Sequence, residues 1–181
     1  MERDFGHDVL GMGTNCSGYP GAFTPAVSHL INKVLADARE QQADLRVLHL
    51  FSGISQIGEV RVDLERIEAT HRQDVFEFIS QDKVQWDFVL LDPPYTIQSG
   101  HKKLEEYAKT SAVASDVPLR NKLAEWFRGH AQNVIWLDMC APLPAGFRRK
   151  HVWFLFPGGY HTVRVLSWLT RAEVGHGTDQ N

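Results

Sequence analysis

The sequence has few cysteines, no long apolar run and no excess of positive charge. Its 181 residues include two cysteines, Cys16 and Cys140, which argues against a secreted domain held together by disulfides. Its apolar runs stay far below the roughly 20 residues that cross a bilayer, and its polar start differs from a signal peptide. We therefore expect a soluble, cytoplasmic protein without membrane contact.

The charge balance argues against a strong general attraction to phosphates. Acidic residues outnumber basic ones, 22 to 19, and the formal net charge is -3. A nucleic-acid partner would then need a local basic face. The tight basic clusters are Lys102-Lys103 and Arg148-Arg149-Lys150, which we take as candidate phosphate contacts, with solvated loops as the alternative. The nine histidines show no zinc-ligand spacing, so we expect no metal site.

The length suits one domain with a single core, and the sequence contains no internal repeat. Residues 1–22 are rich in glycine and polar residues, which predicts an irregular N-terminal arm. The domain itself is expected over residues 23–173. The remaining residues, 174–181, are polar and are predicted to form a disordered tail.

Hydrophobic periodicity predicts alternating helices and strands. Thr24 is a candidate N-cap ahead of Pro25, and a helix is expected over residues 23–41. The other expected elements are strands at 46–51, 59–64, 88–91 and 133–139, a strand end entering a short helix at 74–79, a helix around 119–127, and a closing hairpin of 151–156 with 162–170. This order predicts an α/β three-layer sandwich with a mostly parallel sheet ending in an antiparallel hairpin.

The most informative residues follow the apolar run at 88–91. Asp92, Pro93, Pro94 and Tyr95 come where a parallel strand should end, and ligands of open α/β sheets bind at such ends. Prolines lack a backbone donor, so the local carbonyls remain available as acceptors. A carboxylate and a carbonyl directed at one point suit an amino group with two hydrogens, and Tyr95 offers a ring on which an extruded base can stack. The alternative is a strand-terminating turn.

Asp92-Pro93-Pro94-Tyr95 resembles the catalytic motif of the S-adenosylmethionine-dependent amino-methyltransferases that act on nucleobases. The resemblance implies a class I, Rossmann-like methyltransferase fold and S-adenosylmethionine as the cofactor. It also implies that Asp92 lies at both the catalytic and the cofactor site. Residues 96–100 and 102–107, which follow the motif, are candidates for a substrate lid, and Lys102 and Lys103 belong to this segment.

A glycine-bearing loop precedes this motif and resembles the family's cofactor loop, with Ser55 in place of its middle glycine. By resemblance, the cofactor-binding positions would be His49, Phe51, Ser52, Gly53, Ser55, Gly58, Asp63 and Asp74. A glycine turn between strands is the alternative for the loop. Glu65 competes with Asp63 for the ribose hydroxyls, and Asp74 could equally be a helix N-cap.

Three features depart from the family. Ten positions separate Gly53 from Asp63, so the usual helix between the first two strands must be short or missing. His49 stands where relatives often carry an acid near the cofactor's ammonium group, and a neutral histidine offers no full charge there. No segment is long enough for a separate target-recognition domain.

The favoured function is therefore methyl transfer to an exocyclic amino group of a nucleobase, with N6 of adenine in DNA as first choice. An RNA adenine or guanine amino-methyltransferase is the enzymatic alternative. A non-catalytic cofactor-binding subunit of a partner methyltransferase is the alternative from another class. Nucleic acid, DNA before RNA, is the expected partner, and a homodimer or a partner subunit would supply missing contact area.

Overall fold

The computed structural model describes residues 5–12, 23–94, 116–157 and 162–172. Within these ranges, eight strands form one sheet with the order β1-β7-β8-β6-β5-β2-β3-β4. The strands are β1 (Gly6–Gly11), β2 (Val47–Leu50), β3 (Val60–Asp63), β4 (His71–Arg72), β5 (Trp86–Leu91), β6 (Ala131–Asp138), β7 (Phe147–Phe156) and β8 (Arg164–Arg171). The helices are α1 (Pro25–Arg39), α2 (Val75–Gln81) and α3 (Val117–His130). None of these helices is long and apolar enough to cross a membrane.

The sheet is parallel except at β8. Strand β2 pairs in parallel with β3 and β5, β5 pairs in parallel with β6, and β8 is antiparallel to β6 and β7. Strands β2, β3, β5 and β6 therefore all end at one side of the sheet, which we call the carboxyl edge. The predicted class I fold, with its closing hairpin, is confirmed by this arrangement.

Helices cover both faces of the sheet. Helix α1 packs Val27, Ile31 and Leu35 against one face, which we call the α1 face. Helices α2 and α3 pack on the opposite, α3 face, where Phe78 and Phe127 join the core. Successive residues of a strand alternate between the two faces, so the central strands need apolar side chains on both sides. The uninterrupted apolar run of β5 follows from this.

Helix starts follow the capping chemistry of the sequence. The Thr24 hydroxyl accepts a hydrogen bond from the backbone N–H of Val27, with Pro25 in the first turn, as predicted. The Asp74 carboxylate caps α2 by accepting from the backbone N–H groups of Phe76 and Glu77, so the N-cap interpretation of Asp74 is confirmed.

The chain passes from β2 to β3 without a helix, as the short spacing predicted. Residues 51–59, all of which the structure describes, form turns. Gly58 has φ 99°, and a Cβ there would lie 3.1 Å from the Val47 carbonyl oxygen. The Glu59 carboxylate accepts from the Val47 N–H at 2.8 Å, and Glu59 N–H donates to the Val47 carbonyl at 3.1 Å. Hydrogen bonds to β2 thus fix the turn that replaces the helix.

The prediction of an irregular arm over residues 1–22 is wrong for Gly6–Gly11. These residues form β1, a parallel partner of β7 at the end of the sheet. All six are exposed, so β1 carries no buried apolar alternation that periodicity could detect. Backbone pairing with β7 forms the strand instead. The tail at 174–181 lies outside the described residues.

Replacing Gly58 with alanine should destabilise the fold. The positive φ and the contact with the Val47 carbonyl should together lower the free energy of unfolding by about 2 kcal/mol. The matched control is Gly129→Ala in α3, where an added Cβ meets no atom within 4 Å and stability should stay unchanged or rise by up to about 1 kcal/mol. Urea unfolding of both variants measures this, and equal effects would contradict the role assigned to Gly58.

Candidate active site

Asp92, Pro93 and Pro94 lie at the carboxyl edge, directly after β5. The last residue of β5, Leu91, pairs with Leu50 at the end of β2 and with Trp136 of β6. Pro93 is buried, and Asp92 is partly exposed. On one side of this β2–β5 pair the sheet continues to β3, and on the other side to β6. The motif thus lies at the point where the strand order reverses, which is the usual ligand site of open α/β sheets.

The turn after β2 lies beside the Asp92 turn. Phe51 has φ 56°, a left-handed conformation uncommon for a residue with a side chain, and Gly53 has φ 54°. The Ser52 N–H donates to the Val62 carbonyl, which joins the turn to β3. The Ser52 hydroxyl is buried and has no hydrogen-bond partner among the residues that the structure describes. Strained backbone and an unsatisfied buried hydroxyl together mark a candidate ligand site.

Asp63 joins the ends of β2 and β3. Its carboxylate accepts from the Gly53 N–H at 2.9 Å through Oδ2, and from the N–H groups of Glu65 and Arg66 at 3.1 Å through Oδ1. The structure therefore brings Asp63 against the glycine-bearing turn, whereas the neighbouring Glu65 is exposed. Asp74 follows β4 at the same edge, one strand beyond Asp63.

One predicted cofactor position, Gly58, lies further from this edge. Gly58 packs against Val47 at the start of β2, about 10 Å along the strand from Leu50, which is the last residue before the turn. Ser55 remains close to the turn after β2, because its N–H donates to the Ser52 carbonyl at 3.0 Å, and its hydroxyl accepts from the Ile57 N–H. The structure thus brings Phe51, Ser52 and Gly53 to Asp92 and places Gly58 at the other end of β2.

His49 is buried in the middle of β2. Its ring stacks on Phe23 at 5.1 Å between centroids, and its Nδ1 lies 3.2 Å from the Ile57 carbonyl oxygen, to which it donates. Burial lowers the pKa of His49 to about 4, opposed by the Ile57 hydrogen bond and assisted by the charge of Arg61. The side chain is therefore neutral at physiological pH, and its Nδ1 proton ties the β2–β3 turn to the strand.

Asp138 is a buried acid that the sequence reasoning missed. It ends β6, beside β5, and is 2% exposed. Its carboxylate pairs with the Arg120 guanidinium at 2.8 Å and accepts from the Met139 N–H at 2.6 Å. The Arg120 guanidinium also lies 5.0 Å from the centre of the Trp136 ring. The sequence signal was present, because an apolar run ending in Asp138 repeats the pattern that ends in Asp92.

The basic cluster after Gly146 lies away from the motif. Arg148 and Arg149 are near the start of β7, which runs parallel to β6, so they lie at the edge opposite Asp92. The register makes Arg148 level with Phe88 of β5, which lies four residues, about 13 Å along the strand, before Asp92 and three strands away. Arg149 donates to the Ala141 carbonyl, and Lys150 lies over the Trp168 ring at 3.9 Å. The structure therefore does not bring Arg148 and Arg149 together with Asp92.

Tyr95, Lys102, Lys103 and the candidate lid lie outside the described residues. Within the described ranges, no three potential metal ligands cluster.

The pKa of His49 makes stability depend on pH. The unfolded chain binds a proton near pH 6.5 and the folded chain only near pH 4, so the unfolded state binds more protons between these values. The contribution of neutral His49 to stability should therefore be full well above pH 6.5 and fall by about 1.4 kcal/mol per unit as pH drops through this window. Urea unfolding of the wild type and His49→Gln at pH 7.5 and 5.5 should show about 1 kcal/mol less acid loss in the variant. Parallel losses would refute the assignment.

The folded chain is similar to the solved structure titled "Putative methyltransferase yhhF" from Escherichia coli. The TM-score is 0.48 and the sequence identity is 13%, over 85% of this chain and 90% of that chain. No protein family and no curated protein matches the sequence. The fold class is carried by the strand order and the strand directions of the sheet.

Proposed function

We propose that this protein transfers a methyl group from S-adenosylmethionine to an exocyclic amino group of a nucleobase, with N6 of adenine in DNA as the preferred target. The observation that carries the proposal is the juxtaposition of two turns. The Asp92-Pro93-Pro94 turn and the Phe51–Ser52–Gly53 turn follow strands that end in register, Leu50 with Leu91. A group bound at one turn is therefore within reach of a group bound at the other.

The residues around Ser52 fit the proposed cofactor. Within the described part of the chain the buried Ser52 hydroxyl lacks a partner, and Gly53 lets a ligand approach the backbone. Asp63 presents a carboxylate beside the turn, which suits the two vicinal hydroxyls of a ribose. Asp74 lies one strand further, where its carboxylate would accept from the adenine amino group. When bound, S-adenosylmethionine supplies an electrophilic methyl group on a sulfonium.

On the target side, Asp92 and the Pro93 carbonyl would orient the amino group. Both are acceptors, so they would accept the two N–H hydrogens and localise the nitrogen lone pair. The lone pair so localised would attack the methyl group that the sulfonium supplies, with the carbon–sulfur bonding pair leaving on sulfur. The Asp92 carboxylate would accept the proton that the amino group then loses. Tyr95 would stack on the extruded base.

Removing the Asp92 carboxylate should sharply reduce methylation. We expect a fall in kcat of at least about 100-fold for Asp92→Ala, because catalysis here depends on positioned electrostatic groups. The measurement is nucleoside mass spectrometry after incubation with labelled cofactor and unmethylated DNA or RNA, which also separates DNA adenine from the RNA adenine and guanine alternatives. A variant as active as the wild type would refute the role of Asp92.

Absence of methylated base in both pools, despite cofactor binding by the wild type, would instead favour the non-catalytic cofactor-binding subunit.

A matched pair of acids tests the ribose site. Asp63→Asn removes a charge that lies against the Gly53 N–H, so the Kd for S-adenosylmethionine should rise about tenfold. Glu65→Gln removes the same charge two residues away from an exposed side chain and should change the Kd less than twofold. Isothermal titration calorimetry gives both values. A larger effect at Glu65 would reverse the assignment.

A further inference from the structure

An exposed apolar strip lies at the carboxyl edge on strands β1 and β7, at the opposite end of the sheet from β4. Phe154 and Phe156 of β7 are 39% and 50% exposed, and Val9 of β1 is 68% exposed. Val9 pairs with Phe154, and Trp153 and Leu155 pack with α1, so Phe154 and Phe156 belong to the opposite, α3 face. We call Val9, Phe154 and Phe156 the aromatic strip. Contiguous exposed apolar groups of this kind indicate a binding surface.

The strip lies on the same edge as the candidate active site. Phe154 pairs with Val165 of β8, which pairs with Asp138 of β6, so these residues form one row across the sheet. Leu91 is level with Trp136, which places Asp92 within one residue of this row. Three strand spacings, about 14 Å, separate β5 from β7. A polymer with one unit at Asp92 can therefore place neighbouring units on the strip.

The surroundings of the strip suit a polyanion with flat bases. The nearest acid of β1, Asp8, alternates to the other face, where its carboxylate lies 2.9 Å from His151 Nε2. His7, exposed two residues before Val9, shares the face of the strip. Among the described residues of β1 and β7, no acid therefore shares the face of the strip, and Asp138, in the same row of the sheet, is buried and paired with Arg120.

The spacing of the two rings suits interleaved bases. Phe154 and Phe156 are two residues apart on one strand, about 6.6 Å, which is close to twice the 3.4 Å stacking distance of bases. Sheet surfaces bind single-stranded nucleic acid in this way, with aromatic side chains as stacking partners that tolerate any base.

We propose that the aromatic strip stacks unpaired bases beside the target nucleotide, so that single-stranded or locally opened nucleic acid is the substrate form. The inference rests on the proposed function for the identity of the polymer. It assigns nucleic-acid contacts to β1 and β7.

The test compares ring loss with ring retention. In the Asp92→Ala background, Phe154→Leu/Phe156→Leu keeps the strip apolar and removes both rings, whereas Phe154→Tyr/Phe156→Tyr keeps both rings. Fluorescence anisotropy with labelled single-stranded DNA of mixed sequence, and with matching RNA, should show a Kd increase of tenfold or more for the leucine pair. The Kd of the tyrosine pair should stay within about threefold of that of the Asp92→Ala parent.

Val84→Ala, which shortens an exposed apolar side chain in the loop before β5, is the surface control and should leave the Kd unchanged.

The possible outcomes separate this inference from the proposed function. If the wild type methylates a base and the leucine pair has an unchanged Kd, the base-stacking role of the strip is refuted and the proposed function stands. Loss of binding in the leucine pair supports the strip even where no methylated base is found, because the readout needs no turnover. Equal losses in the leucine and tyrosine pairs, or light scattering that shows a dimer dissociated by the leucine pair, would identify a different interface and overturn the inference. Thermal unfolding of each variant shows whether a loss of nucleic-acid binding comes from loss of the folded state.

Discussion

The parallel pairing of β2 with β5 is the constraint on which the site depends. Four register pairs join the strands, from Val47 with Phe88 to Leu50 with Leu91, and all eight residues are at most 3% exposed. Because both faces of this pair are covered, a slip by one residue would move every side chain to the wrong layer. The register therefore fixes how the two turns beyond Leu50 and Leu91 meet. The proposed cofactor site and the proposed target site both depend on the closeness of these two turns.

The missing helix after β2 has a physical replacement. The Glu59 carboxylate accepts from Val47 and pairs with Arg39 of α1 at 3.2 Å, while His49 donates to the Ile57 carbonyl. These contacts hold the short β2–β3 connection against β2 and α1. A neutral His49 fits this structural role, because a charged ring would be costly at 1% exposure. His49 thus has a packing role in the β2–β3 turn.

The carboxyl edge differs in character on the two sides of Asp92. Asp63 and Asp74 lie towards β4, where acids suit hydroxyl and amino donors on a cationic ligand. Phe154 and Phe156 lie towards β1, where exposed rings suit flat bases. The buried Arg120–Asp138 pair separates the two regions and ties α3 to the end of β6. The proposed cofactor site and the proposed polymer site therefore occupy different parts of one edge of the sheet.

The sequence by itself determined the elements of the central sheet and the Asp92 motif, because buried parallel strands leave continuous apolar runs and the acid and prolines are local features. It also determined that β2 and β3 are joined without a helix, because the connection between them is too short. Only the tertiary structure decided the rest. Backbone pairing made Gly6–Gly11 a strand without any apolar pattern, strand direction placed Arg148 and Arg149 at the opposite edge, and register brought Asp63 to Gly53 and Phe154 into one row with Asp138. Such relations depend on which strands are neighbours, and periodicity along one segment carries no information about that.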